Sequence, residues 1–330
     1  MTNEEGKWAC MADTVRIFKV KQGLGADSAA LISNIHRNDF CFFRFSGGNT
    51  GETARLIEDL CNLKTTGVFL IGIFRFPFRF EGKRRLQTAM LQYQQMRELC
   101  DTTTYIRADG MLETLNEETS LEDAYQRFDW IEDAPIRSIE ELIQFTNKTN
   151  IDAEDVRRFL SDSKGPIYIR TFEGDKFDEP LNDILHAPYL PHDYTEGRQL
   201  ILAIGCSRNV GMDTFQLMNL RFNDLFHKCE LFKLGTYFFD APAGNHFRIT
   251  LMVNGISDPY PQILHRFQKQ RLWLMRQWHL MAYKGKSLNL SVFNGAAIRG
   301  ETKRINHYET ADASVIEMDK HGPGRRKEKW

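Results

Sequence analysis

Two short apolar runs, residues 40–45 (Phe-Cys-Phe-Phe-Arg-Phe) and 68–74 (Val-Phe-Leu-Ile-Gly-Ile-Phe), restrict the fold more than any other feature of the chain. Each is nearly continuous and rich in aromatic or branched side chains, which suits a strand buried on both faces, as in a parallel sheet. Between them Ala54, Ile57, Leu60 and Cys61 recur at helical spacing. The unit therefore reads as strand, helix, strand, and its first turn is Gly47-Gly48-Asn49-Thr50-Gly51. Leu86, Met90, Tyr93, Met96 and Cys100 mark one face of a second helix, and Tyr105-Ile106 begins another strand.

Ser120 followed by Asp123 has the form of a helix cap. Pro135 is expected to interrupt or kink that helix, because it lacks an amide donor and crowds the preceding turn. Residues 136–145 then resume a helical pattern. The second half begins at Gly165, with strands expected at 167–171, 200–204, 231–239 and 247–253 and a helix over 215–226. That pattern is an α+β domain with a mixed sheet.

Bulk properties set the class. With 330 residues, 42% hydrophobic and 26% charged, the chain is long enough for about two globular domains. A formal net charge of −1 supplies no global field toward nucleic acid. The six cysteines lack metal-ligand spacing and several sit in apolar runs, so they read as reduced thiols of a cytosolic protein. No signal peptide opens the sequence, and no apolar run is long enough to span a bilayer.

Four segments carry chemistry. Backbone amides of a glycine loop that opens a helix favour negative charge, which makes Gly47, Gly48, Asn49, Thr50 and Gly51 phosphate-binding candidates. Read alone, the loop is equally an ordinary strand-to-helix turn, and Glu52 puts a carboxylate where a phosphate would not welcome it. Residues 76–85 (Phe-Pro-Phe-Arg-Phe-Glu-Gly-Lys-Arg-Arg) end a strand and begin a helix, with Glu81 at the helix start. Tyr125 and Asp129 stand one turn apart on one helical face. The first can stack on a base; the second can accept the two edge protons of guanine. Alone, they are also a partly buried tyrosine and a surface aspartate. Lastly, Asn150 or Asp152 can cap a helix starting at Ala153, where Asp155 is a charge favoured by the helix dipole.

In their order along the chain these segments resemble the FtsZ/tubulin-like GTPase family. Residues 47–53 are similar to its Gly-Gly-Gly-Thr-Gly-(Thr/Ser)-Gly signature, with Asn49 in place of one glycine and Glu52-Thr53 in place of the last pair. The resemblance implies that Glu81 meets a ribose, that Arg85 reaches the nucleotide, and that Tyr125 and Asp129 read the base. The family's Pro-Asn-Asp loop is Arg107-Ala108-Asp109 here, without the asparagine. Asn150-x-Asp152-x-x-Asp155 reproduces the synergy loop, which in FtsZ-like filaments enters the pocket of the neighbouring subunit. Asn150, Asp152 and Asp155 are thereby implied as catalytic residues of a shared site, with GTP as the ligand and Mg2+ as its candidate counter-ion. No metal site of the protein's own is implied.

The likeness runs from about Gly23, in Gln22-Gly-Leu-Gly-Ala-Asp27, to about Gly255. The family's first strand and first glycine-rich loop find no match before it. A sheet without that strand is expected to lose phosphate ligands and to leave core surface exposed. A start further upstream and a divergent paralogue that kept its filament-contacting face both account for this; the altered loop at 47–53 favours the paralogue.

The expected fold is α/β: an incomplete tubulin/FtsZ-like Rossmann-type GTPase domain, then an α+β C-terminal domain with a mixed sheet. The boundaries are a disordered lead-in at 1–13, the nucleotide-binding domain at 14–148, the synergy loop and linker helix at 149–164, the C-terminal domain at 165–258 and an extension at 259–330. Within the extension, 263–281 aligns Leu264, Phe267, Leu274, Trp278 and Met281 on one helical face opposite basic residues. Such a helix suits a membrane interface or docking on the protein's own core or a partner. The implied function is a bacterial cytoskeletal or cell-division protein that associates head-to-tail with itself or with FtsZ, in the cytoplasm, at the division site or at the membrane. The alternative is a non-catalytic regulator or filament cap.

Overall fold

The computed structural model describes residues 15–22, 32, 34–144, 151–162, 165–175, 181–208, 210–239 and 246–260. Strands β1 (Ile17–Lys21), β2 (Phe40–Ser46), β3 (Phe69–Phe76) and β4 (Thr102–Arg107) pair in that order, all in parallel. Helices α1 (Thr53–Thr65) and α2 (Lys83–Leu99) make the crossovers from β2 to β3 and from β3 to β4.

Side-chain alternation divides this sheet into two apolar faces. Cys41, Phe43, Leu70, Phe74 and Phe76 pack with Leu60 of α1 and with Tyr93 and Met96 of α2. Phe40, Phe42, Phe69, Ile71 and Ile73 pack in the opposite layer. Burial on both sides is why β2 and β3 lack polar alternation in the sequence. Cys41, Cys61 and Cys100 are buried free thiols in the first of these layers.

After the short α3 (Ala108–Leu112), α4 (Leu121–Gln144) covers the second face with Ile131, Ile136, Ile139 and Leu142. Its start is capped as expected: the Asp123 amide donates to Ser120 Oγ at 3.1 Å, and that hydroxyl donates to the Asp123 carboxylate at 2.6 Å. Among the described residues three ion pairs fasten it to the first sheet: Lys19–Glu140 at 2.8 Å, Arg75–Glu132 at 2.5 Å, and Arg44–Asp133. The interruption expected at Pro135 is not found, because α4 runs without a break from Leu121 to Gln144. Proline removes one intrahelical donor, but Ile131 and Ile136 on either side of it are buried against the sheet. Arg137 also donates to the Trp130 carbonyl at 2.7 Å.

β1 is the strand the sequence pattern does not announce. Its residues 17–21 pair with 40–44 of β2, and Phe40, Cys41, Phe42 and Phe43 are fully buried. The exposed core surface expected beside β2 is therefore absent among the described residues.

Helix α5 (Ala153–Ser161) leads to the second sheet, built from β5 (Tyr168–Gly174), β6 (Gln199–Ser207), β7 (Leu231–Phe239) and β8 (Phe247–Asn254). The order is β5-β8-β6-β7, with β6 and β7 parallel and the other pairs antiparallel, the mixed sheet expected. Between β5 and β7 lie α6 (Leu181–Leu185) and α7 (Met212–Leu225). α7 buries Met218 and Phe222 against Leu202, Ile204 and Leu251, in a layer that also holds the Cys206 thiol. From the other face Ile169, Ile201 and Met252 join the layer of α4, α5 and β2. Beyond β8 the chain returns to the first sheet, where Tyr260 stacks on Phe76 with ring centroids 4.1 Å apart and Asp258 pairs with Arg97.

The lead-in at 1–13, the Gly-Leu-Gly-Ala stretch at 23–26, Asn150 and the helix expected at 263–281 lie outside the described residues. Among the described residues, no helix is long and apolar enough to cross a membrane.

Candidate functional site

The glycine loop leaves β2 at its carboxyl end, the usual ligand position of a doubly wound sheet. Two of its glycines answer a steric need. A Cβ on Gly47 would lie 2.2 Å from Phe74 Cζ, and Gly48 has φ of 109°, which favours a residue without Cβ. The three glycine amides of the loop are bonded within the chain. Gly47 donates to the Arg75 carbonyl at 2.9 Å, Gly48 to Gln92 Oε1 at 2.8 Å, and Gly51 to Asn49 Oδ1 at 3.1 Å. Gln92 reaches the loop from α2 and is fully buried. Its Nε2 donates to the Asn49 carbonyl at 2.7 Å and to Thr53 Oγ1 at 2.9 Å. Glu52 is turned toward the end of β1, where Gln22 Nε2 donates to it at 2.7 Å.

Beside the loop is a cavity of about 390 Å3 lined by Gly48, Asn49, Thr50, Arg84, Arg85 and Thr88. The fold thus brings Arg85 beside the loop. Arg85 is paired with Glu81 at 2.5 Å, one turn away, and Glu81 accepts the Phe78 amide at 2.9 Å. A second cavity, of about 270 Å3, opens at the carboxyl ends of β1, β2 and β3 between Lys21, Ser46, Arg75, Asp129 and Glu132. Asp129 reaches it from α4, and Tyr125, one turn earlier, is 63% exposed. The Arg107-Ala108-Asp109 segment closes on its own neighbours: Asp109 Oδ1 accepts the Arg79 amide at 3.0 Å.

A triphosphate held in the FtsZ manner needs open loop amides and an open arginine. Here Gly47, Gly48, Gly51 and Arg85 all have internal partners. Arg75 and Arg44, near the second cavity, are held by Glu132 and Asp133. As folded, the loop does not fit a phosphate chain.

The acidic motif forms a reciprocal capping box at the start of α5. The Asp155 amide donates to Asp152 Oδ1 at 2.7 Å, and the Asp152 amide donates to Asp155 Oδ2 at 3.0 Å. Asp155 also pairs with Lys233 of β7. Burial pushes the Asp155 carboxyl upward, but the Lys233 ammonium and the Asp152 amide outweigh it, leaving the group below the usual carboxylate range. Asp152 is exposed.

Arg157, one turn further on, lies 4.7 Å over the Phe40 ring and donates to the Asn38 carbonyl at 2.7 Å. Those contacts set α5 against the amino end of β2. The glycine loop and the acidic motif thus lie at opposite ends of a seven-residue strand, roughly 20 Å apart by strand rise.

Gln92, Lys233, Arg44 and Arg75 take part in these arrangements without any signal in the sequence reading. Each meets a partner at least 43 residues away in the chain, so no local spacing points to it.

No family model matches the chain. It is 28% identical over 227 residues to the cell division protein FtsZ of Aquifex aeolicus, covering 63% of this chain and 61% of that protein. Less than two thirds of that relative is therefore represented. Among solved structures, an empty FtsZ dimer from M. jannaschii superposes with a TM-score of 0.54 at 18% identity, covering 69% of this chain and 67% of that one. A GTPγS-bound protofilament of CetZ2 from Haloferax volcanii gives a TM-score of 0.54 at 11% identity, covering 78% and 77%. The likeness is one of fold, for an α/β chain with a parallel first sheet and a mixed second one.

Proposed function

From the premise that the chain is a divergent FtsZ/tubulin-like family member, we propose that it associates head-to-tail and presents the start of α5 to a neighbouring subunit. One observation carries this reading. Asp152 and the glycine loop stand at opposite ends of β2, so a single chain cannot bring them together, whereas a second chain stacked in the same orientation can. The capping box fixes Asp152 at the surface: Oδ1 of its carboxylate accepts the Asp155 amide, and the residue stays exposed. At such a junction a fixed carboxylate positions water for phosphoryl transfer by placement and electrostatics. Asp155 belongs to the same proposed face. Contacts of this kind are heterologous and grow into filaments rather than closed rings.

The neighbour is a second copy or an FtsZ-type protein with a guanine nucleotide of its own. In the second case the chain acts as a filament regulator or cap and needs no nucleotide in its own loop. Turnover of GTP by the chain itself, with Mg2+, is a further reading that requires the loop glycines and Arg85 to give up their internal partners; the one feature in its favour is the cavity beside Gly48, Asn49 and Thr50 with its two arginines. In that reading Glu81, Arg85, Tyr125 and Asp129 are the binding residues.

Co-sedimentation with FtsZ filaments, read together with phosphate release, tests the proposal. The wild-type chain is expected to pellet with the filaments and to change their phosphate release. Asp152→Ala, with an unchanged circular dichroism spectrum, is expected to lose the second effect. An Asp152→Ala chain indistinguishable from wild type in both assays rejects the proposed face.

A further inference from the structure

We propose that Gln92 is the residue that shuts the glycine loop to phosphate, by filling from within the hydrogen-bonding position a nucleotide would take. The inference rests on the loop alone and stands apart from the assembly reading, which is tested at Asp152.

Gln92 projects from α2 between the buried residues Ala89 and Tyr93, whose packing against Phe74 fixes the helix at that level. Both polar atoms of its carboxamide are bonded. The oxygen accepts the Gly48 amide, and the nitrogen spends its two donors on the Asn49 carbonyl and Thr53 Oγ1. The group is fully buried. A phosphate that claimed the Gly48 amide would leave the Gln92 oxygen unpaired in a layer of Phe74 and Tyr93, and a buried polar group without a partner is costly.

A second side-chain bond within the loop, from Gly51 to Asn49 Oδ1, is exposed and exchanges readily with water or a ligand. Gln92 is thus the committed occupant and Asn49 the replaceable one. With Gln92 gone, the Gly48 amide is left without its partner beside a cavity lined by Arg84 and Arg85. That is an anion-attracting arrangement of amide donor and two cations. The ligand class that it admits is a terminal phosphate or diphosphate group.

The experiment titrates a fluorescent GTP analogue against the full chain and against Gln92→Ala, with unlabelled GTP and pyrophosphate as competitors. Wild type is expected to show no saturable binding, and the variant to saturate at a probe concentration at least about tenfold below the highest tested on wild type and to release the probe to pyrophosphate. Equal binding by both proteins overturns the proposal, as does a folded variant that binds no better. Retention of the probe against pyrophosphate overturns it too, since the probe then sits elsewhere. Hydrogen exchange on the wild type keeps the idea falsifiable should the variant fail to fold. The Gly48 amide is expected to exchange slowly and to be unaffected by millimolar GTP. Fast exchange, or protection that appears only with GTP, sinks it.

Discussion

The glycine loop at the carboxyl end of β2 and the capped start of α5 beside its amino end are both polar turns that open a helix. The first is tied inward: its amides end on a buried glutamine, a backbone carbonyl and its own asparagine. The second is tied along its own surface, by a reciprocal pair of aspartates and a lysine from β7. The glycine loop departs from the family signature at Asn49 and Glu52-Thr53, whereas the acidic motif keeps its spacing and leaves Asp152 exposed. A motif's letters therefore say less about its availability than the partners that the fold supplies.

Three substitutions probe that contrast. Phe74→Ala should have the largest effect, because the ring is fully buried, packs on Phe45, Phe76 and Tyr93, and sits against Gly47. A loss of about 3–5 kcal/mol is expected in urea denaturation. A loss under about 1 kcal/mol would mean that the core does not hold the glycine end.

Asp155→Ala comes next, at about 0.5–1.5 kcal/mol for the hydrogen bond it gives up at the Asp152 amide, and it should change the acid limb of the stability curve. The folded-state carboxyl lies below its ordinary value, so the unfolded chain binds its proton first as pH falls. The stabilisation is complete above the ordinary aspartate range and disappears as pH drops through the lower, folded value. Asp39 behaves in the same sense, since Arg16 and the His36 amide outweigh the burial that opposes them. Denaturation midpoints of wild type and Asp155→Ala should converge toward low pH; parallel curves would show that the carboxylate is not held down.

Lys233→Met should have the smallest effect, no more than about 1 kcal/mol, because the pair is only partly buried. A cost well above that would make β7 rather than the cap the main support of the acidic turn.

Much of this was legible in the sequence because it was local. The runs at β2 and β3, the Ser120–Asp123 cap and the Asp152 N-cap each depend on residues within a few positions of one another. β1 escaped notice because it is only five residues long, with lysines at Lys19 and Lys21 that suggest an exposed segment. Lys19 in fact reaches across to Glu140 of α4. Pro135 misled for a related reason, since local backbone chemistry predicted a break and burial of α4 on the sheet prevented it. Gln92 was invisible as a loop partner. Nothing in its immediate neighbours distinguishes it from Gln94 or Gln95, which are also buried on α2.

The buried thiols carry a consequence for redox chemistry. Burial pushes the Cys41 thiol up to about 12 and raises that of Cys100 far above its usual range, and Cys206 is raised as well. Oxidants and alkylating agents act on the thiolate, so these sulfurs are chemically silent while the two sheets stay closed. Half-buried Cys229 is pushed up to about 11, with its sulfur 3.3 Å from the Gly197 carbonyl. Oxidative damage at Cys41, Cys100 or Cys206 must therefore enter through molecules that have already opened. The extent of their modification is a record of how often each layer comes apart.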